Sequence, residues 1–251
     1  MKTCEKIVHA SLELFNTKGE RRITTNHIAA HLGISPGNLY YHFKNKEDII
    51  RSIFSLYETH LHAGFQPYEN KTVDVELLVG YFDTMFDILW RFRFMYTNLT
   101  YILSSDEALL QRYLQVQQLA LDRSSNILGQ LKRDGLLHID DDKVMPLADT
   151  MRMVACFWIG YKQTHSSSIA ITKTCLYEGL LRVIMIFKAH ATPTSIATFN
   201  RLEEHYQTLA QPQSCQVSEL SVQLEWCQIA TGLISHQLTF VKGMFTFQFL
   251  F

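Results

Sequence analysis

The stretch between residues 24 and 49 constrains the fold of this chain more than any other. Its spacing predicts two short helices joined by a tight turn, followed by the start of a third helix. The hydroxyl of Thr24 or Thr25 can cap the first helix, because it satisfies free backbone N–H groups there. Gly33 follows, where a helix end often needs a left-handed residue, and Ser35 precedes a proline that fits the first position of the next helix. The stretch therefore predicts a helix-turn-helix.

The outer face of the second helix has the composition of a surface that reads DNA. Leu39 and Phe43 are four residues apart and should face inward together. A helix-turn-helix places its second helix in the major groove, N-terminal residues first. Gly37 weakens the helix by about 1 kcal/mol relative to alanine, but it would let the backbone approach DNA closely. The predicted outer face consists of Gly37, Asn38 and Tyr41, with Tyr40 and His42 on its flanks.

Residues at fixed spacing, within and before this stretch, match a known pattern. Within it they are Ile23-Thr24-Thr25, Ile28-Ala29, Gly33-Ile34-Ser35, Gly37, Leu39-Tyr40-Tyr41-His42-Phe43 and Lys46-Glu47, and before it Ile7, Ala10, Leu14-Phe15 and Gly19. On these residues the chain resembles the N-terminal domain of the TetR/AcrR family of transcriptional regulators, over roughly residues 3–63. The alternative is an ordinary three-helix packing unit without a role in binding DNA.

The resemblance implies a bacterial, homodimeric repressor that leaves a near-palindromic operator in double-stranded DNA when a small ligand binds. Thr25 and Asn26 begin a helix, where amides and the helix dipole favour phosphate. We expect Tyr40, His42 and Lys46 to contact the flanking DNA backbone. The first 51 residues carry 8 lysines and arginines against 5 acidic residues, a net +3 that favours phosphate there. The predicted DNA-binding set is Thr25, Asn26, Ser35, Gly37, Asn38, Tyr40, Tyr41, His42 and Lys46.

Beyond the motif the sequence remains helical, so we expect an all-α protein of two domains with an extension. Residues 1–63 form the predicted DNA-binding domain, a three-helix helix-turn-helix unit with a linking helix. Residues 64–72 contain a proline and predict a hinge. Residues 73–210 form the predicted helical domain for ligand binding and dimerisation, in which residues 94–103 should be one short helix. Residues 211–251 lie outside the family pattern, and their last phenylalanines alternate as in a strand.

Two apolar seams are candidates for assembly. Along the predicted helices of residues 144–163 and 171–188, apolar residues repeat at intervals of four and three. One interpretation is a core within the chain. The resemblance implies a four-helix interface between dimer mates instead, formed by the last two regular helices. The predicted interface residues are Leu147, Met151, Val154, Leu176, Leu180, Val183 and Phe187.

The helical domain also contains a mixture of residues that suits a small-ligand cavity. Its many large aromatic residues include several with polar tips, which need partners when buried. Such apolar walls with a few convergent polar groups are typical of ligand pockets. We therefore expect a small hydrophobic ligand, and Arg93 or Arg152 could pair with a carboxylate if that ligand is acidic. The predicted ligand-binding residues are Trp90, Tyr96, Tyr113, Gln117 and Trp158.

Several other kinds of site are disfavoured by the sequence. The five cysteines are odd in number and have no CxxC spacing, so neither a disulfide framework nor a zinc site is expected, and a reducing cytoplasm fits. The run from Asp140 to Asp142 lacks EF-hand spacing and is better explained by helix capping. No catalytic motif is present. We therefore expect no enzyme, no cofactor or metal, and no membrane association. A helical module that binds small molecules without acting at operators remains the alternative function.

Overall fold

Helices follow one another along the chain with short connections between them. The computed structural model describes residues 2–64, 66, 68, 73–165 and 170–211. Within those residues the first helices are α1 (Thr3–Lys18), α2 (Thr25–Leu32), α3 (Pro36–His42), α4 (Lys46–Ala63) and α5 (Val75–Arg91). They are followed by α6 (Arg93–Thr97), α7 (Leu99–Ser104), α8 (Glu107–Arg133), α9 (Val144–Thr164), α10 (Lys173–Ala189) and α11 (Ile196–Ala210). The described residues contain no strand, so the predicted all-α class is confirmed.

The first four helices form a small packed unit. Helix α1 buries Ile7 and Phe15 against α2 and α4, because its apolar residues recur every three or four positions. Helix α4 supplies Ile49 and Ile53, both fully buried, and α3 supplies Leu39. The predicted inward orientation of Leu39 is therefore confirmed. The apolar interior of this unit leaves the outer face of α3 toward solvent.

The later helices pack as a bundle around α5 and α10. Helix α10 contacts α5, α9 and α11, whereas α8 packs along α9. The hydroxyl of Tyr206 in α11 donates to the carboxylate of Asp83 in α5 over 2.7 Å. Burial and that carboxylate hold the pKa of Tyr206 far above its usual range. The predicted helix over residues 94–103 is instead two short helices, α6 and α7, divided at Asn98.

The two groups of helices are joined by polar contacts at several points. Asn16 in α1 donates its amide to the Arg91 carbonyl over 2.8 Å and accepts from the Phe94 N–H over 3.1 Å. The guanidinium of Arg51 in α4 lies 2.7 Å from the carboxylate of Asp106, at the start of α8. Helix α1 is thus held to α5 and α6, and α4 is held to the start of α8. The domain boundary near residues 64–72 stays a prediction.

The remaining sequence-based expectations concern the aspartate run, metal binding, membrane association and the last residues of the chain. Asp141 pairs with Lys132 over 2.6 Å and begins a 3-10 turn before α9. Among the described residues, no group of three or more His, Cys, Asp or Glu side chains could hold a metal ion. No described helix is long and apolar enough to span a membrane. The alternating phenylalanines of the last residues lie outside the described part of the chain.

Candidate nucleic-acid interface and apolar cavity

Local side-chain caps shape the turn between α2 and α3. Thr24, not Thr25, caps α2, because its hydroxyl accepts from the backbone N–H of His27 over 3.3 Å. Gly33 ends α2 with a φ of 64°, in the left-handed region that favours glycine. The Ser35 hydroxyl caps α3 by accepting from the Asn38 N–H over 3.2 Å. These contacts span only three residues each, so the turn is determined by its own sequence.

The outer face of α3 consists of Gly37, Asn38 and Tyr41, and we call it the reading face. Tyr41 is 84% exposed, and Gly37 and Asn38 are exposed as well. Within the described chain the side chains of Asn38 and Tyr41 form no hydrogen bond with the protein. Aromatic and amide groups held in the open in this way have hydrogen-bonding capacity left for another molecule.

Gly37 is not required by the geometry of α3. A methyl group at this position would have the Ser35 hydroxyl oxygen as its nearest neighbour, 3.9 Å away. The backbone of Gly37 is ordinary helix, because the described glycines with positive φ are Gly19, Gly33 and Gly135. An alanine would therefore fit and favour the helix. The fold gives no reason for a glycine here, whereas close approach of the backbone to a ligand would.

The other predicted DNA contacts surround the reading face with different degrees of exposure. Thr25 is half-buried and its hydroxyl lies 2.9 Å from that of Tyr40, so these two residues bridge α2 and α3. Asn26 at the start of α2 is exposed, as is Ser35. His42 is half-buried, with its ring edge-on to that of Tyr41 at 5.1 Å. All of these side chains lie on α2, on α3 or in the turn between them.

Lys46 differs from the others because its amine is already paired. Its Nζ lies 2.6 Å from a carboxylate oxygen of Glu20, which is 3% exposed, and it also donates to the Glu20 carbonyl over 3.2 Å. The expected contact of Lys46 with the DNA backbone stays a prediction, and its amine would have to be shared with Glu20. Lys44, in the same turn, is exposed, and its side chain forms no hydrogen bond or ion pair within the described chain. Sequence reasoning passed over it, although an exposed lysine beside the motif was a sufficient signal.

An apolar cavity lies among the later helices and α4. Its volume is about 140 Å³. Helices α4, α5, α6, α8, α9 and α10 all contribute to the wall, with α5 and α8 providing most of it. Tyr57 and Leu61 belong to α4, so the helix that follows α3 also forms part of the cavity wall. A mostly apolar space of this size can hold a ring-sized molecule.

A few polar groups converge on one side of this cavity. The Tyr57 hydroxyl lies 3.4 Å from both the Tyr96 hydroxyl and the Gln117 amide nitrogen. Arg152 donates from Nη2 to the Gln117 carbonyl oxygen. Burial raises the pKa of Tyr57 to about 12, and the charge of Arg152 opposes that rise. Burial likewise holds the pKa of Tyr96 well above its usual range. Both phenols therefore remain neutral hydrogen-bonding groups at ordinary pH.

The structure brings two of the five predicted ligand residues to the cavity. Tyr96 and Gln117 line it, whereas Trp90, Tyr113 and Trp158 are not among its lining residues, and the predicted ligand-binding set stays a prediction. Trp90 lies under the guanidinium of Arg93, 4.0 Å from its ring centre. Arg93 is not among the residues that line the cavity. Arg152, the other arginine considered for a carboxylate, does line it.

Trp158 and Tyr113 have other roles in packing. The indole N–H of Trp158 donates to the Cys175 carbonyl over 2.6 Å, and a Cβ at position 179 would approach the ring to 2.6 Å. Gly179 therefore permits a close contact between α9 and α10, because the Trp158 ring lies against its backbone. Tyr113 packs against Phe54 of α4, with ring centres 6.4 Å apart. Tyr57, which is absent from the predicted ligand-binding set, lines the cavity.

The predicted dimer seams are mostly internal to the chain. Leu176, Leu180, Val183 and Phe187 are buried, so a partner chain cannot contact them, and this part of the prediction is wrong. Met151, Val183 and Phe187 line the cavity. Leu147 and Val154 are half-buried against the core, and their place in an interface stays a prediction.

Besides these buried residues, α9 and α10 also carry large apolar side chains that are exposed. Met153, Phe157 and Tyr161 follow one another at intervals of four along α9, and Phe157 is 57% exposed. On α10, Met185 is 54% exposed. We call these four residues the outer seam. Large exposed apolar side chains grouped in this way indicate a surface that another protein covers.

Comparison with family models covers nearly the whole described chain. Residues 7–53 match the model described as bacterial regulatory proteins of the tetR family. Residues 56–199 match the model of a bacterial transcriptional repressor named TetR.

Individual proteins resemble this chain to different extents. The crystal structure of a TetR-family transcriptional regulator from Marinobacter aquaeolei VT8 is 38% identical, covers 82% of this chain and 99% of its own, and superposes with a TM-score of 0.74. IcaR, the negative regulator of the biofilm operon icaADBC of Staphylococcus aureus, is 27% identical over 51% of this chain and 61% of its own length. The chain thus spans about three fifths of that relative. A SmeT–triclosan complex shares the fold, at 18% identity over 77% of this chain and 93% of its own, with a TM-score of 0.51.

Proposed function

Because this chain belongs to the TetR family of bacterial transcriptional regulators, we propose that it is a homodimeric repressor released from its operator by a small hydrophobic molecule. One observation carries the proposal. Helix α4 begins immediately after the recognition helix α3 and contributes Tyr57 and Leu61 to the cavity wall. A molecule in the cavity therefore touches the helix that supports the reading face.

DNA binding is supported by the arrangement at the N-terminal helices. The reading face is exposed and Lys44 is an exposed cation beside it, whereas Lys46 is paired with Glu20. We propose groove contacts from Asn38 and Tyr41. Backbone contacts come from Thr25, Asn26, Ser35, Tyr40, His42 and Lys44. These features favour a DNA-binding regulator over a ligand-binding module without an operator, because such a module needs no exposed α3 face.

Dimerisation is proposed through the outer seam of α9 and α10. A second copy related by a two-fold axis would cover Met153, Phe157 and Met185, which are exposed in one protomer. The two recognition helices of the dimer should then lie about 34–36 Å apart and read successive major grooves of a near-palindromic site. A cytoplasmic location follows from this function, because the operator is there.

Release would occur by a shift between two conformers. A ligand favours the conformer to which it binds more tightly, and ligand and operator must weaken each other's binding by the same factor. The contacts of α4 with Asp106 and with the cavity suggest how the change reaches α3, since the helix is held at both places.

The experiment combines thermal stabilisation with operator release. Hydrophobic compounds are screened for an increase in melting temperature, and each hit is then tested for release of the DNA that flanks the protein's own gene. A ligand at 100 times its Kd should stabilise the protein by about 2.7 kcal/mol, and it should weaken operator binding. The control is Tyr41→Ala, which should lose operator binding and keep the stabilisation. A ligand that stabilises the protein and leaves operator affinity unchanged would refute the release mechanism.

A further inference from the structure

The cavity contains one positive charge and no described negative charge. Arg152 of α9 is in its wall, and no aspartate or glutamate is among the lining residues. None of the ion pairs found in the described chain includes Arg152. A guanidinium remains charged at all ordinary pH values. Its charge is therefore not neutralised by the part of the protein that the structure describes.

The hydrogen-bonding groups of Arg152 are only partly satisfied. Nη2 donates to the Gln117 carbonyl oxygen. Nε and Nη1 are buried and have no acceptor among the described residues. Buried donors without acceptors cost free energy, and a buried charge without a partner costs more. An acceptor that enters the cavity with a negative charge would satisfy both needs at once.

The neighbouring polar groups favour the same type of ligand. Gln117 fixes one side of the guanidinium, and the phenols of Tyr57 and Tyr96 lie near that amide, 3.4 Å from one another. Burial holds the pKa of each phenol above its usual range, so both are neutral donors and do not repel an anion. The rest of the wall is apolar, including Leu78 and Phe82. The wall therefore combines one anion-binding corner with space for an apolar body.

We propose that the inducer is an amphipathic carboxylic acid, whose carboxylate binds Arg152 and whose alkyl or aryl body fills the apolar part of the cavity. This inference rests on the proposed function for its role in regulation, and it names the chemical class of the molecule. A planar carboxylate matches the guanidinium geometry, and such charge-assisted pairs are stronger than neutral hydrogen bonds. A neutral ester or alcohol of the same shape would leave the charge unpaired.

The test uses two matched sets of probes and isothermal titration calorimetry with the full chain. The first set is 4-phenylbutanoate, its methyl ester and 4-phenylbutan-1-ol, and the second is octanoate, methyl octanoate and octan-1-ol. In the wild type the acid of at least one set should bind about 10- to 100-fold more tightly than its ester and alcohol. Failure of both acids to bind, or equal affinity for acid and ester, would overturn the proposal.

Variants of Arg152 separate the charge from the apolar pocket. Arg152→Met should reduce the affinity for the acid to that for the ester, while the affinities for ester and alcohol remain unchanged. Arg152→Lys keeps the charge without the planar fork, so its preference for the acid should be intermediate, and it provides the test if the methionine variant does not fold. Arg133→Met makes the same change on an exposed part of α8 outside the cavity and should keep the full preference. An unchanged preference for the acid in both Arg152 variants would refute the assignment.

Operator binding is measured separately, so that the two proposals can fail independently. An acid that binds through Arg152 but does not release DNA would refute the release mechanism and leave the ligand class intact. A protein that binds its operator but neither acid would refute only the ligand class.

Discussion

The reading face and the apolar cavity are built in opposite ways. The turn that presents the reading face is held by caps that act over three residues, at Thr24 and Ser35, and its outer side chains contact almost nothing else in the described chain. The cavity is formed by six helices, and its polar corner joins α4, α6, α8 and α9. Substitutions of the Asn38 and Tyr41 side chains should therefore change recognition with little effect on stability, whereas those around the cavity should change stability and ligand binding together.

The largest expected effect is on the stability of the protomer, and it contrasts a buried residue of α10 with an exposed one. Leu180 is 1% exposed, so Leu180→Glu buries an unpaired charge and should destabilise the protomer by more than about 4 kcal/mol. Met185→Glu changes an exposed position further along the helix and should leave the protomer's stability within about 0.5 kcal/mol while yielding monomers. Denaturant unfolding and sedimentation velocity measure the two effects. A folded, dimeric Leu180→Glu protein would contradict the burial of this seam, and a dimeric Met185→Glu protein would place the interface elsewhere.

A smaller effect should distinguish the two lysines after α3. Lys46→Ala leaves the buried Glu20 carboxylate without its cation and should destabilise the protein by about 1–3 kcal/mol. Lys44→Ala removes an exposed cation, so stability should hardly change. The slope of the logarithm of the operator-binding constant against the logarithm of salt concentration should decrease in magnitude by about one. Chemical unfolding and operator titrations over a range of salt concentrations measure these quantities. The comparison fails if Lys44→Ala is the less stable of the two variants.

A further, smaller contrast concerns Gly37, where stability and operator affinity should change in opposite directions. An alanine fits at this position, so Gly37→Ala should stabilise the protein by about 0.5–1 kcal/mol. The same methyl group would stand between the backbone of α3 and DNA, and operator affinity should therefore decrease. Melting temperature and gel-shift titration are measured on the same preparation. Tight operator binding by Gly37→Ala would show that the backbone does not approach the groove at this position.

Sequence reasoning succeeded where the determining contacts are local. Helix α4, from Lys46 to Ala63, has such local signals at both of its ends. The Asn45 side chain caps its start by accepting from the Asp48 N–H over 2.8 Å, and Gly64 follows its last residue. Both signals lie next to the ends that they determine. The caps at Ser35 and Gly33 could be predicted for the same reason.

The composition of the cavity could not be predicted in this way, because distance along a helix matters as well as the face. Met151 and Trp158 are seven residues apart on nearly the same face of α9, yet only Met151 lines the cavity. Seven residues correspond to about 10 Å along a helix, which is enough to place Trp158 against Gly179 instead. Similarly, the periodic seams of α9 and α10 are compatible with a core or an interface. Whether such a seam becomes core or interface depends on where α5 and α8 pack. The local sequence pattern of α9 and α10 does not specify that packing.

The sparse contacts of the reading face also bear on how such a regulator can evolve. After a gene duplication, substitutions at Asn38 and Tyr41 can redirect one copy to a new operator with little disturbance of neighbouring side chains. A substitution in the cavity must be accommodated by side chains from several helices before a new inducer can be recognised. A lineage with this architecture is expected to change the genes that it controls more readily than the molecule that it senses.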